Sequence, residues 1–134
     1  MSPSERQDLY SAQAHSRHGT GRVDVSGRAG IPVGAPSELG GSGQGYDPEQ
    51  LYAAAVATCL HQALVIAATQ SGVDPSGSEV TARVRLGDGG AQHYTFDTTA
   101  EITLPSADGD QRERVIAQAL RICPVGDQLN PPPS

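Results

Sequence analysis

The sequence predicts an α+β domain with an antiparallel sheet, and three observations carry that reading. An uncharged stretch over 51–69 follows a strong helix-start signal, two alternating apolar/polar runs flank a glycine-rich turn, and a second helical period follows them. At 134 residues the chain has the usual size of one domain, 1–134, with an ordered core over about 9–124 and a proline-rich tail over 125–134.

The elements follow in order. From Leu9 to His15 and from Arg22 to Val25 apolar and polar residues roughly alternate, predicting two short strands joined by a turn at His18-Gly19-Thr20-Gly21. Ser26 to Gly45 holds seven glycines with Pro32 and Pro36 and no helical period, so it reads as a long connection. Asp47-Pro48-Glu49-Gln50 starts a helix: Asp47 suits the cap, Pro48 the first turn, and Gln50 lies three residues on from the cap. That helix is predicted over Pro48 to Gln70, ended by Gly72 and Pro75. Val80, Ala82, Val84 and Leu86 alternate with polar residues. A second run puts Tyr94, Phe96, Thr98, Ala100, Ile102 and Leu104 on one face, with Gly87-Asp88-Gly89-Gly90 as the hairpin loop. Val115, Ile116, Ala119 and Leu120 fall at helical spacing, giving a second helix over about Gln111 to Arg121, stopped before Cys123-Pro124. Asn130-Pro131-Pro132-Pro133-Ser134 suits neither strand nor helix and reads as a frayed tail.

Composition narrows the function. The net charge is −6, from nine arginines, no lysine and 15 acidic residues, with no basic stripe, which argues against nucleic acid as a partner. The N-terminus has Glu5, Arg6 and Asp8 and no apolar run of a secretory signal, so a cytoplasmic protein is expected. The 51–69 stretch contains His61 and Gln62 and is rich in Ala, so it reads as a helix buried in protein rather than a membrane span. The modest apolar share of 37% would gain from burial against a second subunit.

Two cysteines 64 positions apart in a cytosolic chain are more often reactive than structural. Cys59 lies twelve residues past the cap, beyond the reach of the helix dipole, so another cation must lower its pKa. A drop of about two units takes roughly 2.7 kcal/mol, and a guanidinium at about 4 Å supplies on the order of 4 kcal/mol at an effective dielectric near 20. The helical neighbours of Cys59 are Ala55, Val56, Gln62 and Ala63, a mostly apolar surface that equally suits a plain core cysteine. Cys123 before Pro124 also admits a structural disulfide, worth about 4 kcal/mol for a loop of this length. His61 is two residues from Cys59 and points elsewhere on the helix, and His15 and His18 lie at a strand end, so no metal site is expected. No glycine-rich stretch has the form of a phosphate or dinucleotide loop, and no cofactor is expected.

The runs Glu38-Leu39-Gly40-Gly41, Tyr46-Asp47-Pro48-Glu49-Gln50-Leu51-Tyr52-Ala53-Ala54-Ala55 leading to Cys59, and Ile122-Cys123-Pro124 resemble the organic hydroperoxide resistance proteins of the OsmC-like family. The resemblance runs from about Leu9 to Pro124. It implies an intertwined homodimer in which a long central helix carries the reactive cysteine, with active sites at the subunit interface. It makes Cys59 the peroxidatic cysteine, which attacks an alkyl or fatty-acid hydroperoxide and becomes a sulfenic acid, and Cys123 the residue that resolves it as a disulfide. It places a thiolate-holding arginine at Arg17, with Arg22 as the other candidate, and an arginine-holding glutamate at Glu49. The implied reductant is a dithiol, a lipoylated protein. About 15 Å of helix separates Glu49 from Cys59, so a long arginine or the partner subunit must bridge them.

The chain departs from the family pattern at Thr58 and Leu60 beside Cys59, at Val125, and in having ten residues after Pro124 where a final strand usually completes the sheet, with an exposed sheet edge or a weakened dimer as the expectation. A non-catalytic redox-sensing or small-molecule-binding OsmC-like protein, or a paralogue with inert cysteines, is the alternative.

Overall fold

The structure is a computed structural model and describes residues 6–130. It holds two compact units that divide at the start of the long helix, between Pro48 and Glu49.

In the first unit, β1 (Ala14–Ser16), β2 (Arg22–Val25) and β3 (Ile31–Pro32) form an antiparallel sheet in the order β1-β2-β3. β2 has the bounds expected of it. β1 is confined to three exposed residues, because Leu9 to Gln13 find no strand partner beyond the Gln13–Ser26 contacts. β3 arises inside the glycine-rich connection, where Val23 pairs with Ile31 and Arg22 with Pro32; a two-residue strand carries no periodicity by which a sequence could show it. The connection is ordered further by a 3-10 turn at Ser37–Leu39 and a bridge between Val33 and Tyr46.

The second unit opens with α1 (Pro48–Gln70), the 23-residue helix expected from the sequence. It ends in a Schellman arrangement: Gly72 takes a left-handed φ of 70°, Gly72 N–H donates to the Thr69 carbonyl at 3.2 Å, and Val73 N–H donates to the Ala68 carbonyl at 2.8 Å. One face of α1, with Val56, Leu60, Ala63, Leu64, Ala67 and Ala68, is buried. Its alanines let neighbouring elements approach closely, while each fully buried leucine contributes about 1.5–3 kcal/mol.

β4 (Glu79–Asp88) and β5 (Tyr94–Thr103) form an antiparallel hairpin in continuous register from Glu79–Thr103 to Asp88–Tyr94. β4 runs through Gly87 and Asp88, so the reversal lies later than the expected 87–90 loop. Ala91 and Gln92 both have positive φ, and His93 N–H donates to the Gly90 carbonyl, the geometry of a type I′ turn. The inner face of β5 is buried at Thr98, Ala100 and Ile102 but exposed at Phe96 and Tyr94, since the hairpin's distal half extends past the buried core.

α2 (Gly109–Ile122) is capped by Asp108, whose carboxylate accepts from Gln111 N–H at 2.9 Å, and it buries Val115, Ile116 and Ala119. The Arg112 guanidinium donates to the Ile102 carbonyl at 2.6 Å, joining α2 to β5. After Pro124 the chain is more structured than a frayed tail: a 3-10 turn at Gly126–Gln128 leads to a buried Leu129 that bridges Thr98, with Asn130 N–H donating to the Thr98 carbonyl. Pro131 to Ser134, where the expected tail is richest in proline, lie outside the described residues. The expected open edge of the sheet is thus occupied at Thr98.

Candidate active site

The second unit brings the two cysteines together. Cys59 projects from the middle of α1, partly exposed and packed against the core; Cys123 caps the C-terminus of α2 and is buried within that core. Both are free thiols, and Cys123 Sγ–H donates to Cys59 Sγ at 3.5 Å. A disulfide needs about 2.05 Å, so closing the pair takes a shift of roughly 1.5 Å, within the range of side-chain rotation. The two sulfurs are neighbours, so Cys59 is not a lone core cysteine.

Local sequence explains the position of Cys123. Pro124 ends α2, and the chain turns back sharply: Gly126 N–H donates to the Cys123 carbonyl at 3.0 Å, and a Cβ at Gly126 would lie 2.3 Å from the Leu120 carbonyl oxygen. Only glycine permits that approach. Burial pushes the Cys123 thiol above its ordinary pKa, opposed by a hydrogen bond from the Val125 backbone N–H and reinforced by the neighbouring Cys59. Cys123 is therefore held as a protonated donor facing Cys59. Sequence reasoning identified neither the turn at Gly126 nor the Val125 N–H that meets the sulfur.

Two other groups on α1 are placed. Glu49, in the first turn, has one carboxylate oxygen, Oε2, that is buried and has no hydrogen-bond partner among the described residues. A buried carboxylate oxygen in that condition favours a cationic or donor partner. Beside Glu49 lies an open cavity of about 420 Å³ lined by Leu86, Tyr94, Thr95 and Phe96, and Tyr52 stacks on Phe96 with ring centroids 5.3 Å apart. His61 is turned away from the sulfurs to meet Ser78 Oγ at 2.9 Å, tying α1 to the strand that follows. Its neighbours Thr58, Gln62, Val65 and Ile66 line a second open cavity of about 570 Å³, nearly all apolar in its walls.

Of the two candidate arginines, both in the first unit, Arg22 donates from its guanidinium to the Gly30 carbonyl at 2.6 Å. Arg17 is exposed, and its backbone carbonyl accepts from Thr20 Oγ1 at 3.0 Å. No group of three or more metal-ligating side chains occurs among the described residues.

The family model for OsmC-like proteins matches residues 41–134, the part of the chain that holds Glu49 and both sulfurs. The chain belongs to the OsmC-like family. The organic hydroperoxide resistance protein of Xanthomonas axonopodis pv. citri is 31% identical over 89% of this chain and 86% of its own length. The peroxiredoxin OsmC of Escherichia coli K12 is 30% identical over 81% of this chain and 80% of its own. The OsmC-like fold is equally plain in a solved organic hydroperoxide resistance protein from Elizabethkingia anophelis, which superposes with a TM-score of 0.84 at 23% identity, covering 96% of this chain and 94% of that one. The α+β architecture, the antiparallel pairing and the long cysteine-bearing helix are those expected of the family.

Proposed function

We propose that this OsmC-like protein is a thiol-dependent peroxidase that reduces alkyl or fatty-acid hydroperoxides to alcohols through Cys59 and Cys123. The observation that carries the reading is the 3.5 Å contact between a partly exposed and a buried sulfur. The named activities of relatives at about 30% identity support it.

The Cys59 thiolate attacks the distal peroxide oxygen, the O–O bond breaks, and the alkoxide leaves as an alcohol after taking a proton. Cys59 is then a sulfenic acid. The Cys123 sulfur attacks the Cys59 sulfur, hydroxide leaves as water, and the disulfide forms; the peroxide's two electrons are now accounted for. A dithiol, carried on a lipoylated protein, returns both sulfurs to thiols. No cofactor enters the cycle.

Arg17 is the cation assigned to the Cys59 thiolate, since Arg22 is engaged by the Gly30 carbonyl. Glu49 is assigned to hold that arginine, and its unpartnered buried oxygen suits the part. An intertwined homodimer and a cytoplasmic location complete the reading. The exposed Phe96, Tyr94, Val65 and Ile66 support the dimer as apolar surface in need of a cover.

The test is consumption of cumene hydroperoxide by the protein with dihydrolipoamide, beside hydrogen peroxide under the same conditions. Sustained turnover that favours the organic peroxide is expected. Oxidation of the thiols without sustained turnover would move the reading to a redox sensor.

A further inference from the structure

We propose that the reductant's first thiolate attacks Cys59, so that the mixed disulfide formed on the way back to the dithiol state is carried by Cys59 and Cys123 is always the leaving sulfur. The inference rests on the disulfide step of the peroxidase reading. Thiol–disulfide exchange is in-line: the incoming sulfur must approach along the extension of the S–S bond, opposite the sulfur that leaves. For attack on Cys59 that line points away from Cys123, and Cys59 itself is partly exposed. For attack on Cys123 it enters from behind a sulfur that is 4% exposed and shares its core with Ile116, Ala119 and Leu129. The backbone just past this sulfur is tightly turned, with Gly126 packed on the Leu120 carbonyl, where a Cβ would lie 2.3 Å away.

Leaving-group chemistry opposes this order in part. Burial holds the Cys123 thiol above its ordinary pKa, which slows its departure, although the Val125 N–H offsets some of that cost. Access decides, because a sulfur that cannot be approached in line has no competing rate.

The balance is complete with a dithiol. Its first thiolate bonds to Cys59, the Cys59–Cys123 bond breaks, and Cys123 takes a proton; the second thiolate then bonds to the first reductant sulfur and releases Cys59 as thiolate. The geometry also favours a dithiol over a single thiol as reductant. A single thiol attached to Cys59 lies beside Cys123, 3.5 Å from the Cys59 sulfur in the reduced state, and is expelled when the protein disulfide re-forms.

The experiment oxidises the full chain in two ways, with diamide and with one equivalent of cumene hydroperoxide. Each sample is mixed with 2-mercaptoethanol, acid-quenched at short times, alkylated in denaturant and peptide-mapped. The diamide sample is expected to carry 2-mercaptoethanol on Cys59 and the alkyl label on Cys123, exceeding the reverse by at least about tenfold at the earliest time. Adduct on Cys123 with label on Cys59, or no Cys59–Cys123 disulfide with diamide, overturns the proposal. A disulfide formed by diamide but not by the hydroperoxide would instead overturn the peroxidase reading, while the adduct's position still decides this one.

Discussion

Cys59 and Cys123 touch, yet the two ends of the contact are built in different ways. Cys59 stands in the middle of a 23-residue helix whose buried face is made largely of alanine and leucine, and its sulfur keeps an opening to the outside. Cys123 sits at a helix end, walled by the core and by a turn that only glycine can make. A sulfur that must meet a substrate needs the first kind of place. A sulfur that must meet only another sulfur can occupy the second, where burial keeps it protonated and out of reach of other reactants.

The largest effects should separate the two by role. Cys59→Ser should abolish hydroperoxide consumption, whereas Cys123→Ser should allow one stoichiometric turnover and then stall with a sulfenic acid, which a dimedone label would trap. Equal sustained turnover by Cys123→Ser and the parent protein would remove the distinction. Next in size is the core beside Cys59: Leu60 is fully buried, so Leu60→Ala should cost about 2–5 kcal/mol, against less than about 0.5 kcal/mol for Glu113→Ala on the exposed side of α2, both read by urea unfolding. Gly126→Ala forces its Cβ against the Leu120 carbonyl and should cost about 1–3 kcal/mol while slowing disulfide formation more than the first, Cys59-dependent step. Stopped-flow mixing would show both phases.

The raised pKa of Cys123 gives a pH dependence with a definite sign. In the proposed cycle resolution requires a proton to leave Cys123, and a pKa above the ordinary thiol value means that fewer thiolates are present at neutral pH than in a free thiol. The resolving rate should therefore climb about tenfold per pH unit from pH 7 past the ordinary thiol pKa, without a plateau at pH 8.5. The smallest effect serves as a control away from both sulfurs. Gln92 has a φ of 61° in the hairpin turn, so Gln92→Gly should relieve left-handed strain of about 1–2 kcal/mol, offset by about 0.5–1 kcal/mol of added unfolded-chain freedom, a net stabilisation of no more than about 1 kcal/mol that leaves both kinetic phases unchanged.

Much of the fold is legible in the sequence because local rules govern it. Asp47-Pro48 and Gly72 bound α1, and alternation marks β2, β4 and β5. The misses occur where tertiary contacts decide. β3 exists only because Val23 and Arg22 offer it a partner, and the hairpin tightens onto Ala91 and Gln92 even though glycines stand two residues earlier. The segment after Pro124 folds back because Leu129 finds apolar cover and a bridge to Thr98. In the site, residue types and helical position suggested that Cys59 needs a cation, but a separation of 64 residues says nothing about whether two sulfurs meet. Their pairing came from the resemblance of the motifs, and the structure places them in contact. The unpartnered Glu49 oxygen and the Val125 N–H on Cys123 have no signature in sequence, being properties of burial and of backbone direction.

The most direct test of the account is to mix the fully reduced protein with one equivalent of cumene hydroperoxide, block remaining thiols with N-ethylmaleimide, and map the peptides without reduction. Both free thiols should be lost and a Cys59–Cys123 cross-link should form as the hydroperoxide disappears. Consumption of the hydroperoxide with Cys123 still open to N-ethylmaleimide would contradict it.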